Sequence, residues 1–192
     1  MELGEAFVWL AVGRLVEAKD YPTLLHAFSR VVRAYPSALL LIGGHGPLGG
    51  QLESMTEELG LGDRVRFLGV SNDIPRLMNA ADAYVMSSAL EGLPMVLLEA
   101  AATALPIVAT DVGGNREVVL HDESGFLVPP RNPEALAEAM TRLMGLPPEK
   151  RSEMGSRARA YVEAHYALDR VVTQWEAIYA GALERKGIDL HG

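Results

Sequence analysis

Two short segments hold the side chains of this sequence best suited to chemistry. The first, GRLVEAKD, carries Arg14 and Lys19. The second, SSALEGLPMVLLEAAAT over residues 87–103, carries Glu91 before a turn and Glu99 inside a nearly unbroken apolar run. Pro94 suits the first turn of a helix that follows Glu91-Gly92-Leu93. The first N–H groups of a helix have no internal partners and sit at the positive end of its dipole, so an anion is welcome there. Two cations in a neighbouring loop would add to that welcome, although a loop with two ordinary solvated cations reads the same way. A carboxylate can accept from both hydroxyls of a vicinal diol, as on a ribose. Glu99, among Leu97, Leu98 and alanines, must therefore meet an internal cation or face a ligand, because a buried unpaired carboxylate is heavily penalised.

A rival motif lies between them. Gly44-His45-Gly46-Pro47-Leu48-Gly49 fits G-x-G-x-x-G after a strand and before a helix. A dinucleotide site would also need an acidic residue about 20 positions on, at the end of the next strand. That strand ends Phe67-Leu68-Gly69-Val70, without a carboxylate, so a tight glycine turn explains the pattern better. No Walker loop, His-Glu-x-x-His or Asp-x-Asp pair occurs, and the five histidines have no ligand spacing; His45 alone sits in a glycine loop. The absence of cysteine excludes disulfides, thiolate metal sites and a cysteine nucleophile.

These segments need a frame. Phe7–Val12, Ala38–Ile42, Val65–Leu68, Ala83–Met86, Ile107–Ala109 and Phe126–Val128 are short, mostly continuous aliphatic runs, as expected of strands buried on both faces. Helical patterns fall at Tyr21–Tyr35 after an Asp20 cap, Leu52–Leu59, Ile74–Ala80, Pro94–Ala104, and Pro133–Met144 after an Asn132 cap. The alternation predicts one α/β domain over residues 1–192: a Rossmann-like open parallel sheet of about six strands with helices on both faces. Residues 147–192 contain no strand candidate and read as C-terminal helices. In such sheets ligands bind beyond the carboxyl ends of the strands. The segments to search are therefore Gly13–Asp20, Gly43–Gly50, Gly69–Asp73, Ser87–Leu93 and Thr110–Glu117. A net charge of −8 and a pI of about 5.1 argue against a nucleic-acid surface. No apolar run reaches the ~20 residues of a membrane span, and no secretory signal is visible at Met1, so a cytoplasmic location is expected.

Taken in order, VGRLVEAKDYPTLLHAF, LLLIGGHGPLGGQLESMTEELGLGDRVRFLG, EGLPMVLLEAAA, TDVGGNREVV and SGFLVPPRNPEALAEAM resemble the donor-binding, C-terminal half of retaining glycosyltransferases of family 4, in the two-domain GT-B architecture. The third segment is similar to that family's E-x7-E motif. The resemblance implies that Arg14 and Lys19 bind the diphosphate of a nucleotide-diphosphate sugar, UDP-sugar first and a guanosine donor second. It implies that Glu91 lies at the transferred sugar and that Glu99, as a buried acid, holds the ribose. Gly92, Leu93, Met95 and Val96 would meet sugar and phosphates through their backbone, with Pro94 shaping the turn. Gly69 and Val70 would face the base, and Gly113 and Gly114 would lie near the donor. No metal is expected. Ala104 stands where the family commonly has glycine. An N-terminal acceptor domain is expected to be absent from the chain, leaving open a stand-alone sugar-nucleotide binding subunit that needs a partner. The acceptor would be a glycan, a lipid-linked molecule or a small molecule, with the full-length enzyme cytoplasmic or membrane-peripheral. A GT-B-like epimerase would need acid and base groups that the sequence does not offer.

Overall fold

Aliphatic runs that cannot face water on either side become the middle layer of the molecule. The computed structural model describes residues 6–186. Its six strands are β1 (Val8–Val12), β2 (Leu39–Gly43), β3 (Val65–Gly69), β4 (Ala83–Met86), β5 (Ile107–Thr110) and β6 (Gly125–Val128). They form one sheet of order β3-β2-β1-β4-β5-β6 with every neighbouring pair parallel. Side chains alternate between two cores: Trp9 and Ala11 of β1 enter one, Leu10 and Val12 the other.

Helices α1 (Tyr21–Ala34), α2 (Gly49–Glu58) and α6 (Pro133–Met144) cover the Trp9 face. On the Leu10 face lie α3 (Ile74–Asn79), α4 (Met95–Ala102), α5 (Asn115–Val118) and α7 (Pro148–Tyr166). The caps read from sequence are present: the Asp20 carboxylate accepts from Thr23 N–H at 3.4 Å and the Asn132 side chain from Ala135 N–H at 2.9 Å. Of the C-terminal helices, α7 lies on the sheet through Ala158 and Val162, while α8 (Leu168–Arg185) buries none of its residues. Residues 187–192 of the expected C-terminal region lie outside the described residues. No described helix is long and apolar enough to cross a membrane.

Of the boundaries that differ from expectation, three lie at or beside the loops singled out above. Pro94 is the N-cap of α4 with extended backbone rather than a first-turn residue. The segment Thr110–Glu117, expected as loop, starts the four-residue helix α5. Helix α2 starts at Gly49, three residues before the expected Leu52; its first two residues are glycines, which carry no apolar period to mark the start. Ala104 has a left-handed φ of 58°, a backbone conformation in which glycine is less strained than alanine. Close by, a Cβ on Gly155 of α7 would fall 1.8 Å from the Ala104 carbonyl oxygen, so the helix crosses the α4–β5 turn at backbone contact.

The sheet order places a switch point between β1 and β4. The chain leaves β1 toward one layer and β4 toward the other, which opens a crevice between the two loops. The two strands pair only at Trp9↔Ala83 and Leu10↔Tyr84. Beyond that, the Tyr84 hydroxyl accepts from Val12 N–H at 3.2 Å and donates to Val12 O at 3.0 Å. A side chain thus satisfies a backbone position that a longer strand would otherwise pair.

Candidate functional site

The loops after β1 and β4 meet at this crevice. Lys19 ends a 3-10 turn, Glu17–Lys19, and its Nζ lies 2.5 Å from Glu91 Oε1. The two side chains are only 22% and 9% exposed. Ser88 Oγ donates to the same Oε1 at 2.5 Å. The backbones are joined as well: Ala89 N–H donates to Ala18 O at 2.8 Å, and Ser87 Oγ donates to Lys19 O at 2.9 Å. Arg14 stands exposed on the same loop, and its guanidinium has no hydrogen bond or ion pair among the described residues. One half-sheltered cation is therefore committed to a carboxylate while a second is free.

Beneath the pair is a cavity of about 10 Å³, lined in part by Val12, Lys19, Tyr21, Tyr84, Ser87 and Ser88. The Tyr21 hydroxyl donates to Gly13 O at 3.3 Å. Burial, then the Glu91 charge, pushes the Tyr21 phenol well above its usual range. Tyr84 is raised chiefly by burial, then by Tyr21, with Glu91 and Glu99 adding and the Val12 backbone opposing. Both phenols are therefore neutral hydroxyls, and both carboxylates act on the same floor.

Glu99 departs from expectation. It is exposed and its carboxylate has no hydrogen bond among the described residues. Helix α4 buries Leu97, Ala100 and Ala101, which leaves Met95, Glu99 and Ala102 on its outer stripe. The apolar neighbours that suggested burial belong to the opposite face. Gly92, Leu93 and Met95 are exposed, Val96 is half-buried and Pro94 is buried. No side chain caps α4, and Leu97 N–H turns back to Pro94 O at 3.0 Å. Gly69 and Val70 stand two strands from β1, at the carboxyl end of β3; Val70 is 68% exposed.

The glycines serve backbone contact between loops. A Cβ on Gly113, whose φ is 47°, would lie 1.9 Å from Glu91 O, and one on Gly114 would lie 2.5 Å from Gly92 O. Gly114 N–H donates to Gly92 O at 2.8 Å. Gly44 and Gly46 similarly press on Gly13 O and Leu15 O, at 2.0 and 2.3 Å from the Cβ each lacks. The G-x-G-x-x-G pattern thus seats the β2 loop against the Arg14 loop. His45 contributes its carbonyl, which accepts from Leu15 N–H at 3.0 Å.

Sequence reasoning missed a buried polar chain behind Glu91. Thr110 Oγ1 donates to Ser88 O at 2.6 Å, and Asn115 Nδ2 donates to Thr110 O at 2.8 Å. Ser88, Thr110 and Asn115 are all fully buried. The one available signal was polar residues closing apolar strands just where the loops begin. Among the described residues no three of His, Asp and Glu gather as a metal site.

Residues 3–161 match the family model for glycosyl transferases group 1. An exopolysaccharide phosphotransferase of Streptomyces coelicolor, SCO2592, is 37% identical over 175 residues, covering 90% of this chain and 18% of that protein. The N-acetyl-alpha-D-glucosaminyl L-malate synthase of Bacillus anthracis is 30% identical over 176 residues, covering 92% of this chain and 46% of the relative. The chain thus spans less than half the length of these relatives. Among solved structures, Anabaena Alr3699/HepE in complex with UDP and glucose superposes with a TM-score of 0.85 at 28% identity, over 93% of this chain and 49% of that one.

Proposed function

The chain belongs to the glycosyl transferases group 1 family, and on that premise we propose that it is the donor-binding half of a retaining, family 4 glycosyltransferase of GT-B architecture. Its ligand is a nucleotide-diphosphate sugar seated at the β1–β4 switch point. A UDP sugar comes first, because the Anabaena neighbour is similar over 93% of this chain and is in complex with UDP and glucose; a GDP sugar comes second.

The convergence of Lys19 and Glu91 supports this most directly: the loops bearing the expected phosphate cations and the expected sugar carboxylate share one crevice. The diphosphate draws Lys19 from Glu91 and gains Arg14, which has no competing partner among the described residues. Backbone N–H groups at the start of α4 complete the anion site. Glu91 then accepts from hydroxyls of the sugar, and the exposed Glu99 carboxylate from those of the ribose. Gly69 and Val70 face the base.

In transfer, the bond to the diphosphate breaks early, and negative charge grows on the phosphate oxygens. One preorganised donor aimed at developing charge lowers a barrier by ~2.7–4 kcal/mol. Arg14, Lys19 and the α4 amides supply several such donors, so binding proceeds without a metal in this scheme. The acceptor hydroxyl attacks the face the phosphate leaves, and that phosphate takes its proton, which preserves the anomeric configuration. The acceptor (a glycan, lipid-linked or small molecule) is brought by a second half, so the chain alone carries donor binding rather than full transfer. Glycan or glycoconjugate synthesis in the cytoplasm is the setting.

Calorimetry with UDP, UDP-glucose and GDP-mannose, in EDTA, tests this. We expect one of the nucleotide sugars to bind, and Arg14→Ala or Lys19→Ala to weaken its nucleoside diphosphate by about tenfold or more. Undiminished binding in both variants would remove the phosphate assignment.

A further inference from the structure

We infer that Ser88 is a positioning residue for the donor's sugar, acting through Glu91; this rests on the donor-site reading above. Ser88 lies two residues beyond the end of β4 and is fully buried. Its hydroxyl donates to Glu91 Oε1, which also receives Lys19 Nζ, each at 2.5 Å. Glu91 Oε2 has no hydrogen bond among the described residues, so one oxygen is anchored while the other is open.

The two anchors differ in mobility. Lys19 reaches Glu91 from the β1 loop on a flexible four-carbon stem and is partly exposed. Ser88 is held from behind: Thr110 Oγ1 fixes its carbonyl at 2.6 Å, and Asn115 Nδ2 fixes the Thr110 carbonyl at 2.8 Å. A diphosphate entering the crevice competes for the ammonium and not for the buried hydroxyl. Once Lys19 moves to phosphate, Ser88 is the remaining side-chain donor on Oε1. Without it the Glu91 carboxylate is free to rotate away from the sugar and toward the departing cation. Lys19 therefore balances the Glu91 charge before a donor arrives, and Ser88 sets the carboxylate's orientation once the donor is bound. A charged acceptor strengthens such a bond relative to a neutral one.

The experiment is calorimetric binding of UDP and UDP-glucose to the chain and to Ser88→Ala, Glu91→Gln and the double variant, with thermal melting as a fold check. In Ser88→Ala, UDP affinity should change less than about twofold while UDP-glucose weakens about tenfold. Ser88→Cys, with a weaker donor of similar shape, should fall between. In the Glu91→Gln background, Ser88→Ala should produce no further loss, because residues acting through one another are not additive. A UDP-glucose to UDP ratio that is unchanged in Ser88→Ala, or that falls equally in both backgrounds, would overturn the positioning role alone. If the unaltered chain binds both nucleotides with no preference for UDP-glucose, Glu91 holds no sugar and the inference fails. Binding of neither nucleotide would overturn a UDP-sugar donor site, and this inference with it.

Discussion

Lys19 Nζ and Glu91 Oε1 lie 2.5 Å apart across 72 residues of sequence. The cation expected on the phosphates and the carboxylate expected on the sugar are thus paired with each other across the crevice. The pairing keeps two poorly solvated charges compensated until an anion arrives, since an uncompensated charge there would be costly. It also makes Glu91 a competitor of the diphosphate for Lys19.

Competition has a measurable sign. Glu91→Gln should tighten UDP by about two- to fivefold, equivalent to ~0.5–1 kcal/mol for a partly exposed pair, while removing any advantage of UDP-glucose. Lys19→Met should weaken both ligands. Calorimetry in which Glu91→Gln binds UDP more weakly than the unaltered chain would refute the competition.

Glu99 is exposed and unpaired among the described residues, so its removal should not disturb the fold. Glu99→Gln should shift stability by less than ~0.5 kcal/mol yet abolish the preference for a ribose donor over its 2′,3′-dideoxy analogue. Equal preference in both proteins would end the ribose assignment.

Gly113 is constrained twice, by a φ of 47° and by the Glu91 carbonyl 1.9 Å from where its Cβ would stand. Gly113→Ala should cost at least ~2 kcal/mol in urea unfolding, combining left-handed strain with a backbone clash, and should weaken UDP-glucose. Gly60→Ala is the control: φ is 68° with open space around it, so ~1 kcal/mol of backbone strain is expected alone. Similar costs at both positions would show that the loop contact is unimportant.

Ala104 holds a left-handed φ of 58°. Ala104→Gly should stabilise the chain by ~0.5–1 kcal/mol, the relief of strain exceeding the added flexibility of the unfolded chain. A lower melting temperature in that variant would contradict this.

Alkaline pH should destabilise the fold through Tyr21 and Tyr84, whose folded pKa values are raised above the ordinary 10.0. Below that pH both folded and unfolded chains keep these protons, and the contribution is intact. Above it the unfolded chain releases protons that the folded chain retains, so stability falls by up to ~1.4 kcal/mol per pH unit for each group. Urea unfolding between about pH 9 and 11 should show a shallower decline in Tyr21→Phe. An unchanged slope would mean that Tyr21 does not couple to folding.

Much of this arrangement is local and therefore legible in residue order. Val8–Val12, Ala83–Met86 and Ile107–Thr110 are strands because continuous aliphatic runs need cover on both faces, and α6 runs from Pro133 to Met144 as its cap, proline and periodicity require. Those periods also bring the cation loop and the two-glutamate segment to the carboxyl ends of strands. Helix α5 escaped notice because four residues show no period, and Pro94 capped a helix it was expected to enter.

Contacts between distant segments were decided only when the chain closed. Glu99 sits among apolar residues in sequence, yet α7 and the sheet take Leu97, Ala100 and Ala101 and leave its carboxylate outside. Gly44 was expected in a tight turn and Gly113 near the donor, and the fold adds that another loop's backbone presses on each. The hold of Ser88, Lys19 and Thr110 on the Glu91 loop depends on β4 lying between β1 and β5. Helix and strand periods are set by neighbours along the chain, and so residue order determines them. Which side chain meets which carboxylate is set by strand order and register, and that only the tertiary structure decides.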